Sequence, residues 1–206
     1  MKLNLLFIAT IISGWAHAQL EVGIEQYYYL QNNSTISAGP IAHIQSNNKW
    51  YAEVRYNYEE LRTFSFYAGK KFSRENRFSY SVIPMAGGVV GRFNGASVGL
   101  HLDMDFEGLF LSSESQYTFS TQHKLDNFYF NWAELGYQPC GWLYAGAAMQ
   151  HTYLFDEMTQ NNIDLGMVIG FTFGNWTIPV YGFNPDNKNR FFVIGINWEW
   201  KKHKKT

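Results

Sequence analysis

The chain has 206 residues and a formal net charge of −1; 18% of residues are aromatic and 16% charged, against roughly 25% charged in an average soluble domain. Mean hydropathy is nonetheless −0.27, so apolar residues are interleaved with polar ones rather than gathered into runs. A single cysteine, Cys140, excludes an intramolecular disulfide scaffold. Setting aside Lys2 and the terminal Lys201, Lys202, Lys204 and Lys205 takes the charge from −1 to −6, an acidic body that excludes nucleic acid as a partner.

Residues 1–18, MKLNLLFIATIISGWAHA, have the form of an export leader. A basic start (Lys2) precedes an apolar run from Leu3 to Ile12, then small residues at Ala16 and Ala18, which predicts cleavage between Ala18 and Gln19. The run is too short to span a bilayer, and no later run of about 18 apolar residues could form a membrane helix. The expected organisation is a leader over 1–18, one folded unit over 19–200 and a basic tail over 201–206.

From Leu20 onward the chain divides into about twelve strand-like segments: 20–30, 36–46, 50–59, 63–72, 78–90, 95–105, 109–119, 127–137, 142–153, 163–173, 176–183 and 190–200. Asn32-Asn33, Asn47-Asn48, Arg74-Glu75-Asn76, Asn94-Gly95, Gly174-Asn175 and Pro185-Asp186-Asn187 lie between them. Asn, Asp and Gly accept the backbone angles of tight turns. Period two is plain in most segments. In 50–59, Trp50, Ala52, Val54, Tyr56 and Tyr58 oppose Tyr51, Glu53, Arg55, Asn57 and Glu59. In 163–173, Ile163, Leu165, Met167, Ile169, Phe171 and Phe173 oppose Asp164, Gly166, Val168, Gly170 and Thr172. In the last segment Phe192, Ile194, Ile196, Trp198 and Trp200 oppose Phe191, Val193, Gly195, Asn197 and Glu199. The segment 109–119 fits poorest.

Alternation leaves open which face is inside: a soluble sandwich turns its apolar face inward, a membrane barrel outward. The polar face here is Gly, Ser, Thr, Asn and Tyr with scattered acids, where a water-facing sheet carries far more Lys and Glu. Aromatic residues gather at segment ends, at the level of lipid headgroups. Segments of this length, tilted, span a bilayer, and their number is even. The expectation is an all-β fold: a single transmembrane antiparallel up-and-down β-barrel of about 12 strands, following a cleaved signal peptide. The final strand should pair with 20–30, because an open edge in hydrocarbon is prohibitively costly. The lumen-facing set is then Glu21, Glu25, Glu53, Arg55, Glu59, His101, Asp103, Asp164 and Glu199, with Arg55 in reach of both Glu53 and Glu59. Trp50, Trp142, Trp176, Trp198 and Trp200 are the expected interfacial aromatics.

The A-x-A leader, the chain of amphipathic hairpins and the closing aromatic strand resemble small outer-membrane β-barrel proteins of Gram-negative bacteria. Glu134-Leu135-Gly136-Tyr137-Gln138-Pro139, Pro179-Val180-Tyr181-Gly182-Phe183-Asn184-Pro185 and Gly195-Ile196-Asn197-Trp198-Glu199-Trp200 look like barrels common in Bacteroidota. One departure is that KKHKKT follows Trp200, where many such barrels end on the aromatic read by the barrel-assembly machinery. The resemblance implies a cell outer-membrane location, with the N- and C-termini periplasmic, and outer-membrane lipids and the assembly machinery as partners. A structural or narrow-pore, porin-like role with an acidic lumen is the leading functional expectation. A surface binding or assembly component is the alternative, and a barrel-embedded lipid hydrolase or acyltransferase a more distant one.

Catalytic signatures are absent from the sequence. A lipid hydrolase resembling those of outer membranes would carry Ser two residues after a His, but His43, His101 and His151 are followed at that position by Gln45, Asp103 and Tyr153. His101, Asp103 and Asp105 share a face, yet successive side chains on one face of a strand lie about 7 Å apart, too far for one ion without cross-strand ligands. The glycines from Gly87 to Gly95 lack the following helix that phosphate cradling needs. No cofactor is expected, and the chain reads as non-enzymatic.

Overall fold

The computed structural model describes residues 20–31, 36–122, 127–155, 160–186 and 188–200. The leader with its Ala18/Gln19 cleavage point, the Asn32-Asn33 turn, Asn187 and the basic tail lie outside the described residues.

Thirteen strands follow in chain order: β1 Leu20–Gln31, β2 Ser37–Ser46, β3 Trp50–Tyr56, β4 Thr63–Lys70, β5 Phe72–Arg74, β6 Phe78–Gly91, β7 Gly95–Phe106, β8 Leu109–Ser120, β9 Phe128–Cys140, β10 Leu143–Leu154, β11 Gln160–Phe173, β12 Trp176–Phe183 and β13 Phe191–Trp200. Each pairs antiparallel with its neighbour. The seam is β1 on β13, from Val22 opposite Trp200 to Gln31 opposite Phe191. Among the described residues no strand edge is left open, which is the condition for crossing hydrocarbon.

Twelve strands span the sheet, because β4 and β5 are one strand in one register. Gly69 faces Met85 and Phe72 faces Val82 on β6, so the break at Lys70–Lys71 falls opposite Pro84 and Ile83. Proline has no amide hydrogen to give the ladder, which weakens the pairing there, and the Lys71 amide donates to the Lys49 carbonyl at 2.8 Å. The segment read as 50–59 ends earlier than expected, at Tyr56. Asn57 takes a left-handed φ of 55° and Arg62 one of 60°, and the Asn57 side chain caps the loop by accepting from the Arg62 amide at 2.7 Å. Asn tolerates that backbone angle better than most residues. The loop departs from period two, and its Tyr58 and Glu59 side chains turn into the lumen.

Apolar residues face out. On β11, Leu165 and Met167 are 61% and 72% exposed while Val168 beside them is 3%. On β13, Phe192 and Ile196 are exposed while Phe191 and Val193 are buried. A belt of exposed aliphatic side chains around a closed ladder is stable against acyl chains and not against water. The five tryptophans sit at the rim shared by the start of β1 and the end of β13, where Trp176 lies 6.5 Å from Trp198 and the Lys70 ammonium 5.4 Å over Trp50. Tyr56 with Phe64, Tyr117 with Phe119 and Tyr153 with Phe155 mark the opposite, hairpin rim.

The packed core is inside the barrel. Trp132, Ala148, Val168, Tyr181, Phe183, Phe191 and Val193 form one buried cluster on β9 to β13; Tyr51, Tyr67, Ile83 and Met85 form a smaller one on β3 to β6. Glycines make the room: a Cβ at Gly170 would sit 2.0 Å from Cζ of Tyr144, whose ring crosses that strand.

Candidate functional site: the lumen and its waist

The lumen narrows at Arg55, which is 1% exposed. Its Nε donates to Glu53, Nη1 donates to Gln116 Oε1 at 2.9 Å, and Nη2 lies 3.1 Å from His101 Nε2. A guanidinium only donates, so the His101 nitrogen accepts. Glu114 Oε2 is 3.9 Å from Nη2. The rings of Tyr58 and Tyr67 bracket the guanidinium, with centroids 4.3 and 4.9 Å from Cζ. Glu53 also accepts from the Tyr51 hydroxyl. Strands β3, β4, β7 and β8 and the β3–β4 loop therefore meet on one cation.

Across the lumen, Glu134 accepts from Tyr181 at 2.7 Å and from Trp132 Nε1 at 3.0 Å, and Trp132 packs edge-on against Tyr181. Three cavities surround this waist. Toward the hairpin rim a vestibule of about 490 Å³ is lined by Tyr29, Tyr58, Glu59, Gln116, Phe130 and Gln150, among others. Toward the terminal rim a cavity of about 310 Å³ is lined by Glu21, Glu25, His43, His101, Asp103 and Glu199. A third, of about 200 Å³, lies between Glu114 and Glu134 beside Trp132 and Tyr181.

The residues expected to line the lumen fall as follows. Glu21, Glu25, Asp103 and Glu199 border the terminal-side cavity, where Gln45 donates to Glu21 at 3.2 Å, Tyr27 to Glu25 at 2.8 Å and Ser112 to Asp103 at 2.9 Å. His43 Nδ1 stands 3.4 Å from Glu25. Glu53, Arg55 and His101 form the waist. Asp164 lies nearer the hairpin rim and accepts from Asn184. Glu59 is brought in by the loop rather than by a strand. Arg55 does not tie it: Glu59 accepts from Ser65 at 2.7 Å and Tyr67 at 3.0 Å instead. The period-two reading put Tyr58 with the outward residues of β3; the turn at Asn57 reverses it, and its ring lies against the Arg55 guanidinium.

Glu114, Gln116 and Glu134 were not among the expected lumen residues. Glu114 and Gln116 lie on β8, where outward Ser113 and Ser115 blur the contrast between faces. Those serines are matched by Asn131, whose side-chain amide donates to both hydroxyls at 2.8 Å. The flanking Ala133 and Leu135 mark Glu134 as inward, a signal present in the sequence.

No protein-family model matches the chain, and no curated protein matches it. Among solved structures the chain is similar to KdgM porin in complex with disordered oligogalacturonate, at 14% identity and a TM-score of 0.57, covering 88% of this chain and 99% of that one. It is also similar to NanC porin, at 10% identity and a TM-score of 0.57, covering 87% and 100%. At such identities the shared property is the fold. The chain has a porin-like β-barrel fold whose outer face is apolar.

Proposed function

We propose that this barrel is a narrow, cation-preferring outer-membrane pore whose conductance is set by the Arg55 waist. The carrying observation is the charge inside: Glu21, Glu25, Glu53, Glu59, Asp103, Glu114, Glu134, Asp164 and Glu199 face Arg55, with Lys71 at the terminal rim. Low-dielectric walls focus such an excess, enriching cations and repelling anions. KdgM porin was solved with oligogalacturonate, a polyanion; the carboxylates here argue against an anionic saccharide as this chain's solute. The lipid belt supports outer-membrane lipids as its surroundings, and closure of the β1–β13 seam supports the assembly machinery as its partner in biogenesis. The pieces at 134–139, 179–185 and 195–200 support a Bacteroidota-type barrel, and the absence of a catalytic signature in the sequence supports a non-enzymatic role.

The test is single-channel recording of the purified protein in planar bilayers. Current should favour K⁺ over Cl⁻, and less so at high salt, where screening shortens the field. Anion preference at low salt would reject the proposal. A barrel that never conducts, with or without Arg55, would instead favour a structural role, the reading suggested by so fully bonded a waist.

A further inference from the structure

The third lumen cavity, between Glu114 and Glu134, presents acceptors and rings but no cation. Glu25, Glu114, Glu134 and Glu199 line it, and no Lys, Arg or His does. Donors in its wall are engaged within the protein. Trp132 and Tyr181 give theirs to Glu134, Tyr27 to Glu25, Ser112 to Asp103 and Asn197 to the Tyr27 hydroxyl; Tyr144 lays its hydroxyl over Gly170. Both donors to Glu134 meet its Oε1, which fixes the carboxylate. Oε2 has no hydrogen bond among the described residues and keeps accessible surface on the cavity that Glu134 lines. No ion pair among the described residues includes Glu134. Carboxylates gathered around one small space repel each other, and a bound cation relieves that cost.

The rest of the wall decides which cation. Rings of Tyr27, Tyr58, Trp132, Tyr144 and Tyr181 border the cavity, and Trp132 packs 4.9 Å from Tyr181 and 5.7 Å from Tyr27. An alkali ion gives up its water only to oxygens placed around it, and aromatic carbon does not replace them. A primary ammonium is held by carboxylate on one side, in charge-assisted hydrogen bonds. Its alkyl part lies on rings whose faces attract the positive charge. The volume of about 200 Å³ is below the roughly 300–1,000 Å³ of drug-sized ligand sites, so the ligand is small. We propose that this cavity is a binding site for a small primary alkylammonium ion. Glu134 Oε2 accepts from the ammonium, Glu114 adds charge from the opposite wall, and the alkyl part lies against Trp132 and Tyr144. The site rests on the cation-preferring reading only for the route by which such an ion enters.

The experiment is calorimetric titration of the detergent-folded barrel with n-propylammonium chloride, beside n-propanol, propionate and KCl. Propylammonium should bind, and the alcohol and the carboxylate at least tenfold more weakly. Glu134→Gln keeps an acceptor for Trp132 and Tyr181 and replaces the charged Oε2 by an N–H, and should weaken propylammonium about tenfold. Tyr144→Leu keeps the bulk and removes the ring face, and should weaken it about threefold. Met167→Leu on the lipid face should change nothing; heat-modifiable migration checks that each variant is folded. No binding of propylammonium, equal binding of n-propanol, displacement by an equal concentration of KCl, or full affinity in both lumen variants would each overturn the assignment. Cation-selective current from a preparation that binds no propylammonium removes the site and leaves the pore. Propylammonium binding without current supports the site and removes the pore.

Discussion

Arg55 is where residue chemistry decides most. A buried guanidinium pays a large desolvation cost, which is offset only when its donors are matched by acceptors and opposing charge. Here Glu53, Gln116, His101 and Glu114 supply them. Arg55→Ala would leave Glu53 and Glu114 near one another without a cation, and should destabilise the folded barrel by about 3–5 kcal/mol. Its single-channel conductance should rise because the waist opens. Replacing both partners, Arg55→Met with Glu53→Gln, should recover most of that stability, since no uncompensated charge remains buried. Unfolding in denaturant, followed by tryptophan fluorescence, measures both; equal loss in single and double variants would mean that the guanidinium acts by packing and not by charge.

At the level of the strand, β13 shows how period two becomes membrane architecture. Ile196 points to lipid and the adjacent Asn197 to the lumen, where it donates to the Tyr27 hydroxyl at 3.3 Å. An arginine on the lipid face costs roughly 2–4 kcal/mol at the bilayer midplane, whereas a lumen position offers water and carboxylates. Ile196→Arg should therefore lower stability in lipid vesicles well below Asn197→Arg. The reverse order would mean that the two faces are exchanged. The β3–β4 loop makes the opposite point: a left-handed Asn57 ends the alternation, and Tyr58 and Glu59 cap the waist from outside any strand.

For the whole molecule, closure is the property on which the rest depends. The β1–β13 seam sets Tyr28 opposite Ile194, both on the lipid side, and opposed pairs in an antiparallel ladder lie close enough for a disulfide. In a Cys140→Ser background, Tyr28→Cys with Ile194→Cys should cross-link on oxidation and keep the compact, fast-migrating form on gels after heating. A link that forms only with Val193→Cys would shift the register by one and turn every side chain of β13 to the other face. The barrel itself was legible in the sequence: alternation, turn residues and the scarcity of exposed charge follow from strand geometry and from the solvent on each side, and both are local properties. They gave twelve strands with edges mostly within a few residues, and they placed Phe192, Ile194 and Ile196 outward. Which inward residues meet was not legible. Arg55 and Gln116 are 61 positions apart, and Glu134 and Tyr181 are 47 apart. Their contacts depend on strand tilt, on how twelve strands close, and on a loop that folds inward, so only the assembled barrel could decide that its lumen has a waist and a vestibule.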